Sequence, residues 1–197
     1  GAVDVTVVTA GGTSPTNATD VYTYVNAPVI TSVSTSAGPT AGNTGVTITG
    51  SNLTGTTSIT FGGVAAFPST VHVVNDSTVT VLSPAHSVGS VDVQAVTAFG
   101  TSVAVPSDVF TYVVKPVVKS SSPNAGPMTG GTAVTIIGTG FTGATAVEFG
   151  TTPTTNFVVN SDTSITAISI AGMPGLGYNV NVTVDTPGGS AAQVSSA

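Results

Sequence analysis

Apolar and polar residues alternate one by one along most of this chain. Val46-Thr47-Ile48-Thr49 is the clearest run, and Val91-Asp92-Val93-Gln94-Ala95 and Phe110-Thr111-Tyr112 repeat the pattern. A period of two puts every second side chain on one face, so each run predicts a half-buried β-strand. Val29 to Val33, Ile59 to Phe61 and Val71 to Val74 read the same way. Asn75-Asp76-Ser77, between Val74 and Val79, predicts a hairpin. Gly38-Pro39, Gly42-Asn43, Gly50-Ser51-Asn52 and Gly62-Gly63 supply turn chemistry between the runs. No stretch carries the 3.6-residue period of an amphipathic helix. About seven short strands at this spacing predict an all-β protein built of two antiparallel sheets packed face to face. The predicted inward set is Val46, Ile48, Ile59, Phe61, Val79, Val81, Val91 and Val93, with Thr47 and Thr49 pointing outward.

The pattern repeats. Val3 to Val25 aligns with Val91 to Val113 at an offset of 88, with 14 identities in 23 positions. Pro28 to Phe61 aligns with Pro116 to Phe149 at the same offset, with 17 identities in 34. Val73 to Val81 echoes Val158 to Ala167, and Val180 to Ser190 echoes Val3 to Thr13. A unit of about 88 residues is the size of an immunoglobulin-like sandwich. Residues 1–26 are therefore read as the closing strands of a preceding repeat, 27–114 as a complete repeat, and 115–197 as a repeat lacking its last strand. On this reading the chain is a fragment of a longer protein. The joints Asn26-Ala27-Pro28 and Val114-Lys115-Pro116 run through proline into a new strand, which predicts semi-rigid connections.

Ala37-Gly38-Pro39, Gly42-Asn43, Val46-Thr47-Ile48-Thr49-Gly50, Asn52-Leu53, Phe61-Gly62 and Phe110-Thr111-Tyr112 together resemble the pattern of the IPT/TIG domain. The next repeat carries Ala125-Gly126-Pro127, Gly130-Gly131, Val134-Thr135-Ile136, Gly138, Gly140-Phe141 and Phe149-Gly150 in the same register. The resemblance covers essentially the whole chain. It implies tandem immunoglobulin-like antiparallel β-sandwiches of IPT/TIG type. It implies no particular function, since this fold decorates plexins, transcription factors and bacterial surface proteins alike.

Composition narrows the classes. Charged residues are 5% of the 197, against about 25% in typical domains. The net charge is -6, and the two cationic side chains are Lys115 and Lys119. A phosphate backbone needs several cations, so nucleic-acid binding is excluded, including the DNA contacts of Rel-type relatives. Mean hydropathy is +0.46, yet no run of 18 apolar residues exists, so no membrane insertion is expected. Cysteine is absent, which removes disulfides, thiol nucleophiles and Cys zinc sites.

No catalytic, cofactor-binding or metal residues are predicted, and no cofactor. His72 sits in a strand and His86 in a loop, and neither has a partner at ligand spacing or a counterpart in the third repeat. Glu148 is the only Glu, so a pair of glycosidase carboxylates would have to come from the Asp residues. These recur by repeat, as Asp4 with Asp92, Asp20 with Asp108 and Asp76 with Asp162, which marks them as fold determinants. Asp76 and Asp162, in tight turns, and Asp20 and Asp108, before the last strand, are expected to bind nearby backbone N–H groups. An intramolecular isopeptide bond between Lys119 and a residue assisted by Glu148 fails in the second repeat, where Thr31 and Thr60 stand instead. Sequons at Asn17, Asn52, Asn75 and Asn181 are no more than the Ser and Thr content supplies by chance.

The expected function is a non-enzymatic structural or adhesive array of a secreted or cell-surface protein, acting as a stalk or spacer. The alternatives are an accessory module of a secreted polysaccharide-acting enzyme and a decoration domain of a phage virion. A carbohydrate module should carry an exposed aromatic platform, whereas most Phe and Tyr here fall in core phase. Expected partners are other protein domains, copies of the same chain, or surface carbohydrate. Copies could join head to tail if Val21 to Val25 of one chain closed the third repeat of another. Against that stands the simpler expectation that following residues of a longer chain supply the strand.

Overall fold

The computed structural model describes residues 1–172 and 179–192. Among these the protein is nearly all strand, with two single-turn 3-10 helices at Pro68–Thr70 and Pro106–Asp108. In the second repeat one sheet runs His72–Asn75, Thr78–Leu82, Gly45–Ser51, Val29–Ser34, with every pair antiparallel. The facing sheet runs Ala37–Pro39, Val109–Val113, Gly89–Thr97, Ser58–Phe61, Val64–Ala65, and Gly100–Thr101 also pairs with Gly89–Thr97. The third repeat has the order Val117–Ser122, Ala133–Thr139, Ser164–Ile168, Phe157–Ser161 in one sheet. Its second sheet runs Thr152–Thr154, Ala146–Phe149, Val182–Thr186, Gly189–Ala192.

Strict alternation explains why these segments bury one face. Val46, Ile48, Ile59, Phe61, Val79, Val81 and Val93 are buried in one cluster with Ile30, Leu53, Phe110 and Tyr112. Val91 is half-buried at the rim of that cluster rather than inside it. Thr47 and Thr49 lie outside the core, as the register requires. The third repeat builds the equivalent cluster from Val118, Val134, Ile136, Phe141, Val147, Ile165, Ala167, Val182 and Val184.

Two features depart from the sequence reading. Gly38-Pro39 is not a turn but part of the strand Ala37–Pro39. It pairs in parallel with Val109–Val113, so the sandwich is not wholly antiparallel. The reason is an open strand edge: Thr111 N–H reaches Ser36 O at 2.8 Å and Thr40 N–H reaches Val113 O at 3.2 Å, which recruits a segment that lacks strand patterning. Residues 1–26 form only small pairings, Ala2–Asp4 with Val21–Thr23 and Val8–Thr9 with Gly12–Thr13. Val3, Val5, Val8, Val21 and Val25 are exposed there.

Candidate interaction surfaces

Asp20, Asp76, Asp108 and Asp162 each hold backbone N–H groups, but not all in the way their turns suggest. Asp76 stands in the hairpin between His72–Asn75 and Thr78–Leu82, yet its carboxylate reaches across the sheet to another loop. It accepts from Asn52 N–H at 3.2 Å and Thr54 N–H at 3.3 Å. Asp162 does the same for Gly140 N–H at 3.1 Å and Thr142 N–H at 3.3 Å, with the Thr142 hydroxyl at 2.9 Å. The local turn is held instead by Asn75, whose Oδ1 accepts from Ser77 N–H at 2.8 Å. Hydrogen bonding favours the ionised form. The Thr54 hydroxyl, then the Thr54 and Asn52 N–H groups, hold Asp76 below the usual carboxylate value. Gly140 N–H and the Thr142 groups do so for Asp162.

Asp20 and Asp108 act locally, as expected. Asp20 Oδ2 accepts from Asn17 N–H and Asp108 Oδ2 from Val105 N–H, both at 2.9 Å. Asp108 is fully buried, and its Oδ1 has no hydrogen-bond partner. Burial pushes its pKa up, Val105 N–H opposes that, and the negative charge of Asp92 adds to the rise. A third recurring device was not anticipated. Thr9, Thr97 and Thr186 each accept through Oγ1 the N–H two residues on, from Gly11, Phe99 and Gly188, and donate to the carbonyl of Gly12, Gly100 and Gly189. The signal was the repeated Thr-x-x-Gly, visible in all three copies.

The remaining candidates are not brought together. His72 lies exposed on the edge strand His72–Asn75. His86 stacks on the ring of Tyr112, centroids 5.0 Å apart, and is part of the packing. Lys119 is exposed on one sheet of the third repeat and Glu148 stands on the other, so no isopeptide arrangement forms. Among the described residues no group of three metal-ligating side chains exists. Asn52, read as a sequon, is half-buried and donates from Nδ2 to Ala27 O at 3.4 Å.

Two further surfaces stand out among the described residues. The aromatic residues are less uniformly internal than their phase suggested. Phe61, Phe110, Phe141 and Tyr112 are buried, but Phe67 is 69% exposed, Phe99 56%, Tyr22 56% and Tyr24 65%. Phe67 and Phe99 sit in connections, where alternation has no hold. Tyr22 and Tyr24 have no second sheet to cover them. Tyr178 lies outside the described residues. The second surface is a groove of about 230 Å³ in the third repeat, lined by Ala125, Gly126, Pro127, Phe149, Ile170 and Val180 among others. In the second repeat the same place is filled by Val109–Val113. There Phe110 and Tyr112 pack edge to face at 4.8 Å, and the Tyr112 hydroxyl donates to Pro84 O at 2.9 Å.

Two facing sheets of this strand order, repeated in tandem, define an immunoglobulin-like β-sandwich protein. The IPT/TIG domain profile matches residues 28–112 and 116–197, and the chain belongs to that family. No curated protein matches the sequence. Among solved structures the chain is similar to the plexin A4 extracellular region, at 24% identity and a TM-score of 0.46, covering 85% of this chain and 18% of that one. It is also similar to a surface glycan-binding protein from Prevotella bryantii, at 21% identity and a TM-score of 0.38, covering 86% of this chain and 42% of that one. A glycan-binding protein from a xyloglucan utilization locus of Bacteroides uniformis matches at 19% identity and 0.37, covering 84% and 48%. The chain therefore spans less than half of each of these proteins, and the likeness brings no ligand to it. No helix among the described residues is long and apolar enough to cross a membrane.

Proposed function

We propose that this chain is a non-enzymatic, extracellular array of repeats that acts as a semi-rigid stalk or spacer. The observation that carries the reading is how each joint meets the sandwich that follows it. Pro28 and Pro116 are buried. Ala27 O accepts from Asn52, and the Cβ of Ala27 lies against Gly100. At the second joint, a side chain at Gly188 would collide with the Val114 carbonyl, and Gly140 packs beside Pro116. A joint that leans on its own sandwich has few free dihedrals, so neighbouring repeats hold a narrow range of angles. The backbone N–H groups held by Asp20, Asp76, Asp108 and Asp162 support the same reading, since these carboxylates brace loops and turns of the repeats. Small-angle scattering tests it. One compact body of this length has a radius of gyration of roughly 16 Å. A stalk gives a clearly larger value with a single narrow distance distribution. A value near ~16 Å, or a broad distribution, overturns the reading.

Phe67 and Phe99 favour a second reading, an accessory module on a polysaccharide-acting protein. Exposed rings stack on sugars and bury a large area there. Retardation of the protein in gels containing soluble polysaccharide, lost in Phe67→Ala or Phe99→Ala, would support this reading over the spacer.

A further inference from the structure

The outer face of one sheet of the second repeat carries a hollow where a side chain is missing. Thr47, Thr80 and His72 stand opposite one another on three neighbouring strands, so their side chains share the solvent face in one row. In the next row Leu82 faces Gly45. A Cβ at Gly45 would meet nothing within 4 Å. Val46 and Val81, between the rows, turn into the core and leave their backbone as the floor. The result is a cleft of about 530 Å³, bordered on its open side by Ser69 of the turn Pro68–Thr70. Small-ligand sites occupy roughly 300–1,000 Å³.

The sandwich does not require this arrangement. In the third repeat the first row reads Thr135, Thr166 and Val158, and in the second Ile168 faces Ala133. A valine and a methyl group thus stand where the second repeat has His72 and Gly45, and the strand order of the sheet is the same.

The lining selects the ligand. The hydroxyls of Thr47, Thr80 and Ser69 and the ring of His72 make no hydrogen bond to the described residues. Each hydroxyl can donate and accept, and a neutral imidazole does both. No Asp, Glu, Lys or Arg lines the cleft, so a charged ligand would lose its hydration without a counter-charge. A peptide cannot add here as a strand, because Gly45–Ser51 and Thr78–Leu82 already have a neighbour on each side. Leu82 is exposed and supplies one apolar wall. Uncharged hydroxyl edges beside apolar C–H faces are the surface of a neutral sugar ring.

We propose that this cleft binds a neutral polysaccharide, with Thr47, Thr80, Ser69 and His72 on the sugar hydroxyls and Leu82 against a ring face. The inference rests on the second reading above and gives it one place. Of the two exposed rings, Phe67 opens the turn that carries Ser69, whereas Phe99 follows Gly89–Thr97 on the other sheet. The site therefore does not include Phe99.

Affinity electrophoresis of the 197-residue chain tests the proposal. The neutral probes are hydroxyethylcellulose, galactomannan, dextran and soluble starch, each cast in the gel, and alginate is the anionic one. The expected result is retardation in at least one neutral gel and none in alginate. Gly45→Val fills the hollow, and His72→Val copies Val158 of the third repeat. Each should weaken retardation at least about fivefold, the scale of one lost hydrogen bond. Phe99→Ala should run as wild type. His72 is exposed, so a loss in His72→Val does not come from the core, even if Gly45→Val lowers the melting transition. Wild-type retardation in His72→Val and in folded Gly45→Val overturns the cleft and leaves the second reading standing. Equal retardation in alginate overturns the neutral ligand. No retardation in any neutral gel removes the second reading, and the cleft with it.

Discussion

Replacing Phe61 by Ala is the sharpest probe of how the second sandwich is held. The ring is fully buried on Ser58–Phe61 and opposite Val93. It meets Phe110 edge to face at 5.4 Å and 89°, and Tyr112 at 6.4 Å and 71°. Truncation to Ala removes the transfer energy of the ring and leaves a cavity, together about 3–5 kcal/mol. Part of that is the two ring contacts, about 0.5–1.5 kcal/mol each. A repeat of this size has roughly 4–13 kcal/mol in all, so the loss takes a large fraction. At roughly 4–8 °C per kcal/mol the melting transition of that repeat falls by at least ~12 °C. Phe149 is the counterpart in the third repeat, but it is half-buried at the groove. Phe149→Ala should therefore cost only about 1–1.5 kcal/mol. Scanning calorimetry of the two variants reads both transitions in one chain. Equal losses, or a Phe61→Ala loss under ~1.5 kcal/mol, would refute the packing argument.

Asp108 is raised above the usual carboxylate value, so the folded state holds its proton more tightly than the unfolded chain. Stability then falls as pH rises above 3.8 through the folded value, and Asp108→Asn should remove that fall, which urea titrations at pH 4 and pH 7 compare. Asp76 has the opposite sign: its stabilisation is present above 3.8 and lost as pH drops through its lowered folded value. Asp76→Asn should be less stable than wild type at pH 7, with the gap narrowing as pH falls below 3.8, and a constant difference across that range would count against the clamp. A side chain at Gly50 would collide with the Val29 carbonyl, and one at Gly138 with the Val117 carbonyl. Gly50→Ala should cost about 2–3 kcal/mol in chemical denaturation, whereas Gly45→Ala, in open space and on the same strand, serves as the control.

Alternation settled the strands and their facing. Val46, Ile48, Val79 and Val81 needed no knowledge of their neighbours to be placed inward, because a period of two leaves one choice once a face is buried. The 88-residue repeat likewise announced tandem sandwiches, and the Gly, Pro and Phe positions held in register announced their family. What sequence could not decide was anything that depends on two segments meeting. Ala37–Pro39 reads as turn chemistry and became a strand only because Val109–Val113 offered it an open edge. Asp76 and Asp162 read as local turn residues, but their acceptors face loops more than 20 residues away, brought near by the sheet. Val91 has the right phase and sits at the rim, since phase gives direction and not depth. The exposure of Phe67 and Phe99 follows from which faces find a cover. Local pattern specifies which side of a strand is apolar, whereas only the packed structure decides what, if anything, lies against it.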